Sequence, residues 1–277
     1  MNLLQAVVLG VVQGVTEFLP ISSTAHLRIV PALLGWGDPG AAFSAIIQLG
    51  TVAACIIYFW KDMLRLATAF FRALAAKDPF GTADARLAWC VIVGTLPVGV
   101  VGWLLKKSIE TSWRSLYIIA TSMTVLALVL FLAERLAQHR REVAQMTLKD
   151  GLIIGLCQAV ALIPGSSRSG TTLTGGLALG FKREDAARYS FLLSIPANAA
   201  AGVFQLKQIL HATERPSSLL LAVGTVVSFV VGMAAIAGLL RYLRTRTTLV
   251  FVGYRLLMGG LLFALLAAGV LQPLAGT

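Results

Sequence analysis

Charge is what this chain has least of. Of its 277 residues only 13% are Asp, Glu, Lys or Arg, well below the roughly 25% usual in soluble domains, while 57% are hydrophobic. With a mean hydropathy of +0.83, a water-soluble domain is excluded and a polytopic membrane protein is expected. Cysteine is scarce and odd in number. Cys55, Cys90 and Cys157 lie inside apolar runs, which excludes a disulfide framework or cysteine metal site and suits small buried packing residues. The N-terminus lacks a basic leader and a small-residue cleavage site, and its apolar segment carries Gln5, Gln13 and Glu17, so no cleaved signal peptide is expected. Acidic residues number 12 against 23 basic ones, a formal charge of +11. The basic residues fall in short connections between apolar runs, where they serve topology beside anionic membrane lipid and not nucleic-acid binding.

Long apolar runs are what the chain has instead. Crossing a hydrocarbon core takes roughly 20 helical residues, and six stretches suffice: 42–60, 86–105, 115–134, 188–207, 217–240 and 248–271. Two more apolar regions, 2–34 and 148–181, are each broken near the middle by Pro and a Ser-rich cluster. They are expected to be re-entrant helical hairpins, because irregular backbone at membrane depth survives only where protein buries it or it lines a polar cavity.

The broken regions resemble each other. GVVQGVTEFLPISST at 10–24 aligns with GLCQAVALIPGSSR at 155–168 through a one-residue gap, matching Gln13 to Gln158, Pro20 to Pro164, and Ser22 and Ser23 to Ser166 and Ser167. Each half then holds one hairpin and three spans. Three is odd, so the second half starts on the opposite side of the membrane: a single transmembrane domain, 1–277, of inverted repeats 1–147 and 148–277, with the substrate site where the broken helices meet. Lys61, Arg65, Arg72, Lys77, Arg86, Arg135, Arg140, Arg141, Lys149, Lys182, Arg183, Arg188, Arg241, Arg244 and Arg246 share one side, against Arg28, Lys106, Lys107, Arg114, Lys207 and Arg215 on the other. The positive-inside rule makes the richer side cytoplasmic and puts both termini outside, with residues 62–79 along the cytoplasmic interface.

The breaks carry the chemistry. Gln13 and Glu17 are one helical turn apart on one face, and a carboxylate inside an apolar hairpin needs a partner, a proton or a cation. After Pro20 a new helix is expected, with Ser22, Ser23 or Thr24 at its N-cap and free N–H groups suited to an anion. His26 brings an imidazole to the same turn. In PGSSRSGTT at 164–172, Arg168 stands among Ser166, Ser167, Ser169, Thr171 and Thr172, an anion receptor with hydroxyls around it. Gln48 and Asn198 either face the cavity or, as the preferred assignment, make interhelical hydrogen bonds, and Glu184 and Asp185 mark a helix start. Charge clamps, a nucleophile or water activator, and a carboxylate able to hold a divalent cation are the parts of a phosphoryl-transfer site.

At these residues the sequence resembles the bacitracin-resistance family of undecaprenyl-pyrophosphate phosphatases, along essentially the whole chain. QGVTEFLPISSTAH matches the family's first motif and PGSSRSGTT its second. The resemblance implies hydrolysis of a polyprenyl pyrophosphate lipid, dependent on a divalent cation such as Mg2+ or Ca2+, at the outer face of a bacterial inner membrane. Glu17 then looks like the cation-binding or orienting carboxylate. Ser23 and His26 match positions proposed for nucleophile and proton transfer, and Ser167 and Arg168 those that hold pyrophosphate. Ser22, Thr24, Ser166, Ser169, Thr171 and Thr172 are expected to bind substrate as well, with Gln13 in a supporting role. Ser23, His26 and water remain open as the attacking group, and a homodimer is compatible with the sequence. A polyprenyl-phosphate transporter is the rival reading; it would use Arg168 but not the Glu17, Ser23, His26 set. The other class of membrane lipid phosphatase needs a late His, and after Arg168 the chain offers only His211.

Overall fold

The computed structural model describes residues 1–37, 39–110, 113, 115–210 and 217–273, without the side chains of 41, 42, 106–110 and 203–210. Arg114, His211 and Arg215, and the side chains of Lys106, Lys107 and Lys207, therefore lie outside what is described. Helices form throughout, and no strand occurs among the described residues. They are α1 (Leu3–Phe18), α2 (Ser23–Leu33), α3 (Gly40–Tyr58), α4 (Trp60–Ala75), α5 (Ala83–Glu110), α6 (Leu116–Leu136), α7 (Leu148–Val160), α8 (Arg168–Ala178), α9 (Arg183–Leu210), α10 (Ser218–Leu243) and α11 (Leu249–Ala267).

Among the described residues four helices are long and apolar enough to cross a membrane: α5 over Ala83–Leu105, α6, α10 and α11. The run expected at 42–60 is α3, which turns by 67° into α4 and would make a fifth crossing. Leu132, Leu136, Val226, Val230 and Leu257 stand exposed on these helices. An outer surface this apolar fits a helical membrane protein. The segment expected to lie along the interface is α4, with Leu66 and Ala73 turned inward and Phe71 outward.

The two broken regions are helix pairs, α1 with α2 and α7 with α8, and local caps explain where each helix begins. Asn2 and Gln5 form a capping box at the start of α1, and Thr147 and Asp150 form one at the start of α7. Ser22 caps α2 and Ser167 caps α8. The spacing from Gln13 to Ser22 equals that from Gln158 to Ser167, so the regions correspond without a gap. Ser23 is thus the counterpart of Arg168, and the two prolines are not equivalent. Proline only disfavours the preceding helix, whereas a cap fixes where the next one starts, and the caps set the register.

Glycine lets the pairs seat closely. A Cβ on Gly10 of α1 would lie 2.7 Å from the Gly224 carbonyl oxygen of α10, and one on Gly155 of α7 would lie 2.7 Å from Gly94 Cα of α5. Because backbone faces backbone at Gly155, Gly155→Val is expected to destabilise the fold by about 3 kcal/mol, read as a lower midpoint of thermal unfolding in detergent. Gly259 also meets a neighbour, with a Cβ there 3.3 Å from the Ala120 carbonyl oxygen, but Gly260 faces open space. Of this glycine pair, only Gly259 thus serves close helix packing. Glu184 and Asp185 occupy the first turn of α9, as expected.

Candidate active site

The broken ends of the two helix pairs meet. Glu17, in the last turn of α1, is buried and accepts four hydrogen bonds. Its Oε1 takes one from Arg168 Nη2 at 2.9 Å and one from Asn198 Nδ2 at 3.2 Å. Its Oε2 takes one from Ser23 Oγ at 2.7 Å and one from Gln13 Nε2 at 3.1 Å. A second tie joins the two breaks, from Ser169 Oγ to the Leu19 carbonyl at 3.0 Å.

Both caps hold their backbone in the left-handed region that favours glycine, with φ of +77° at Ser22 and +66° at Ser167. Strain of this kind persists only where surrounding contacts over-determine it. Ser22 Oγ accepts from Ala25 N at 3.4 Å and Ser167 Oγ from Gly170 N at 3.2 Å. Helix geometry leaves the N–H groups of Ser23, Thr24, Arg168 and Ser169 without an acceptor in their own helices. Two positive helix ends thus open on one place.

That place is a cavity of about 210 Å³. Glu17, Ser22, Ser23, Thr24, Gln48, Gln158, Ser167, Arg168 and Asn198 supply its polar wall, and Val98, Ala161, Leu162, Ala197 and Ala201 its apolar wall. Gln13 stands behind Glu17, within 3.5 Å of Thr51 Oγ1. His26 does not line the cavity: Nδ1 lies 2.7 Å from the Ser22 carbonyl and Nε2 2.6 Å from Tyr254 Oη. Ser169, Thr171 and Thr172 also stand outside the lining and brace it. Thr171 and Thr172 donate to the Arg168 carbonyl at 3.0 and 2.7 Å, and Thr172 meets Ser190 Oγ at 2.5 Å. Ser166 Oγ is buried without a hydrogen-bond partner among the described residues.

Glu17 is the cavity's only carboxylate among the described residues, and nowhere among them do three His, Cys, Asp or Glu side chains cluster for a metal. A dedicated metal cage is therefore lacking. The set fits a hard cation that arrives with phosphate oxygens and needs one carboxylate from the protein, the usual habit of Mg2+.

The residues that meet here come from a chain that matches the family model described as bacitracin resistance protein BacA over residues 6–261. The chain belongs to that family. It is 66% identical to the undecaprenyl-diphosphatase of Myxococcus xanthus, with 100% of this chain and 93% of that one covered. Proteins of the same name from Chloroherpeton thalassium and Chlorobaculum tepidum are 54% and 51% identical, over 98% and 99% of this chain and 99% and 100% of theirs.

In this member of the bacitracin resistance family, Gln48 and Asn198 line the cavity, the use the sequence reading ranked second, and Arg255 escaped that reading. Asn198, assigned there mainly to helix packing, reaches the catalytic carboxylate candidate; its signal was the preceding Pro196 inside α9. Arg255, fully buried in α11, donates to the carbonyls of Met123 at 3.2 Å, Ser122 at 3.3 Å, Gly165 at 3.4 Å and Ser166 at 3.0 Å. It holds the turn before Arg168 against α6, and a lone Arg in an apolar span was the available sign. The Glu17–Arg168 pair is expected to be strongly coupled. Glu17→Ala strands a buried guanidinium and should destabilise by about 3 kcal/mol or more. The double variant Glu17→Ala/Arg168→Ala should recover much of that loss, measured as thermal midpoints in one detergent.

Proposed function

We propose that the protein hydrolyses undecaprenyl diphosphate to undecaprenyl phosphate and inorganic phosphate, recycling a lipid carrier used in cell-wall synthesis and thereby conferring bacitracin resistance. One observation carries the reading: a single carboxylate, Glu17, joins a hydroxyl, Ser23, to a guanidinium, Arg168, inside a cavity fed by two helix N-termini. The relatives named above supply the substrate. A transporter would need the anion receptor but no hydroxyl set 2.7 Å from a carboxylate.

The pyrophosphate lies against Arg168 and the free N–H groups of α2 and α8, which neutralise its charge. Ser23 Oγ attacks the terminal phosphorus and passes its proton to Glu17, and the bond to the bridging oxygen breaks to release undecaprenyl phosphate. Water then cleaves the seryl phosphate, and the proton on Glu17 leaves with the products. His26, held on the Ser22 carbonyl and Tyr254, orients the strained cap and does not meet the phosphate. A divalent cation, held by Glu17 together with the substrate's own oxygens, would supply further charge neutralisation.

Around this site we assign six crossings, α3, α5, α6, α9, α10 and α11, and two re-entrant pairs, in inverted repeats spanning 1–147 and 148–277. Equivalent caps at Asn2 and Thr147 and at Ser22 and Ser167 support that repeat. The distribution of basic residues supports a site open to the outer face of the inner membrane, with both termini outside. The test is phosphate release from undecaprenyl diphosphate by purified protein in detergent. Chelator should abolish release and added Mg2+ or Ca2+ should restore it. Folded protein that binds the lipid and releases no phosphate would move the assignment to transport.

A further inference from the structure

Gln158 is a polar residue of the cavity whose side chain no described residue engages. Its side chain is completely buried in α7 and lines the cavity, yet neither Oε1 nor Nε2 has a hydrogen-bond partner among the described residues.

The repeat explains the vacancy. Gln13, its counterpart in α1, donates to Glu17 four residues later. Four residues after Gln158 stands Leu162, also in the cavity wall. The second half thus keeps the amide and lacks the carboxylate that would satisfy it. A buried amide without a partner disfavours the fold. Arg168 Nη1, in the same cavity, is likewise buried and unpartnered.

We propose that Gln158 is a substrate-binding residue whose Nε2 donates to a phosphoryl oxygen of the diphosphate held by Arg168. Both amide atoms are sealed from water here. Movement of Arg168 from Glu17 onto the phosphate opens them and brings the guanidinium's free nitrogen and the amide to the same anion. The proposal rests on the phosphatase reading and adds a donor that neither motif contains.

The test compares wild-type protein with Gln158→Leu and Gln158→Glu, full-length in detergent, with undecaprenyl diphosphate as substrate. Gln158→Leu removes an unsatisfied polar group, so its thermal midpoint should equal or exceed that of the wild type. Its KM should rise about 10- to 100-fold, the effect of losing one hydrogen bond to a charged group. Gln158→Glu, nearly the same shape, places a negative charge against the phosphate and should raise KM further; it carries the comparison if the Leu variant does not fold. A residue with only a packing role predicts the same stability gain with KM unchanged, and that result overturns the proposal. If wild-type protein releases no phosphate, hydrolysis is what fails. Gln158 is then judged by binding of inorganic pyrophosphate, where an affinity equal in wild type and Gln158→Leu would overturn its role.

Discussion

Arg168→Ala is expected to lower kcat/KM for phosphate release by about 10³-fold or more, the range in which an arginine acts when it stabilises charge on a transferring phosphoryl group. The protein should remain folded, because Glu17 keeps Ser23, Gln13 and Asn198 as donors after the guanidinium is gone. Arg168→Lys should recover little. A lysine brings the charge but not the planar fork, and here one nitrogen of the fork already serves Glu17 while the other is free. Steady-state kinetics with a thermal-unfolding control checks this. Near-wild-type turnover in folded Arg168→Ala would remove the cavity from the reaction.

Ser23→Ala should be more damaging still, about 10⁴-fold or more in kcat, since losing a nucleophile outright can cost an enzyme about 10⁶-fold. His26→Ala should lose only about 10-fold, less than the 10² to 10⁴ that general acid–base catalysis contributes. The difference follows from position. Ser23 Oγ lies in the cavity wall with a carboxylate 2.7 Å away, whereas both His26 nitrogens are occupied by the Ser22 carbonyl and Tyr254 outside it. Tyr254→Phe should then resemble His26→Ala, since each loosens the same cap. If His26→Ala fell as far as Ser23→Ala, the imidazole would have to reach the phosphate, and the assignment of attack to Ser23 with Glu17 as base would be wrong.

Much of this site was legible because lipid makes polar residues conspicuous. Glu17 and Arg168 stood out as charges within apolar segments, and the Ser-rich breaks marked where helices had to restart. That the two charges pair was not legible, since they are 151 positions apart and only the packing of α1 beside α8 joins them. Gln158 and Arg255 were harder. An amide inside an apolar helix usually finds a partner on a neighbour, and nothing in the sequence says that this one does not. The likeness of the two broken regions was visible, but matching Pro20 to Pro164 hid the correspondence of the caps Ser22 and Ser167. Four helices pass on length and hydropathy alone, whereas α1, α2, α7 and α8 are too short to span and depend on their neighbours for burial.

The ion pair between Glu17 and Arg168 has a consequence for what the resting protein admits. With its own carboxylate seated on its own cation the two charges cancel, and although Arg168 Nη1 is open, an anion claims the whole guanidinium only by displacing Glu17. A chloride or singly charged phosphate gains too little at one nitrogen to do so. A diphosphate spreads several negative charges over both helix ends at once and tips the exchange. The pair is therefore expected to favour anions of higher valence, and the monophosphate left after cleavage to compete less well with Glu17 for Arg168.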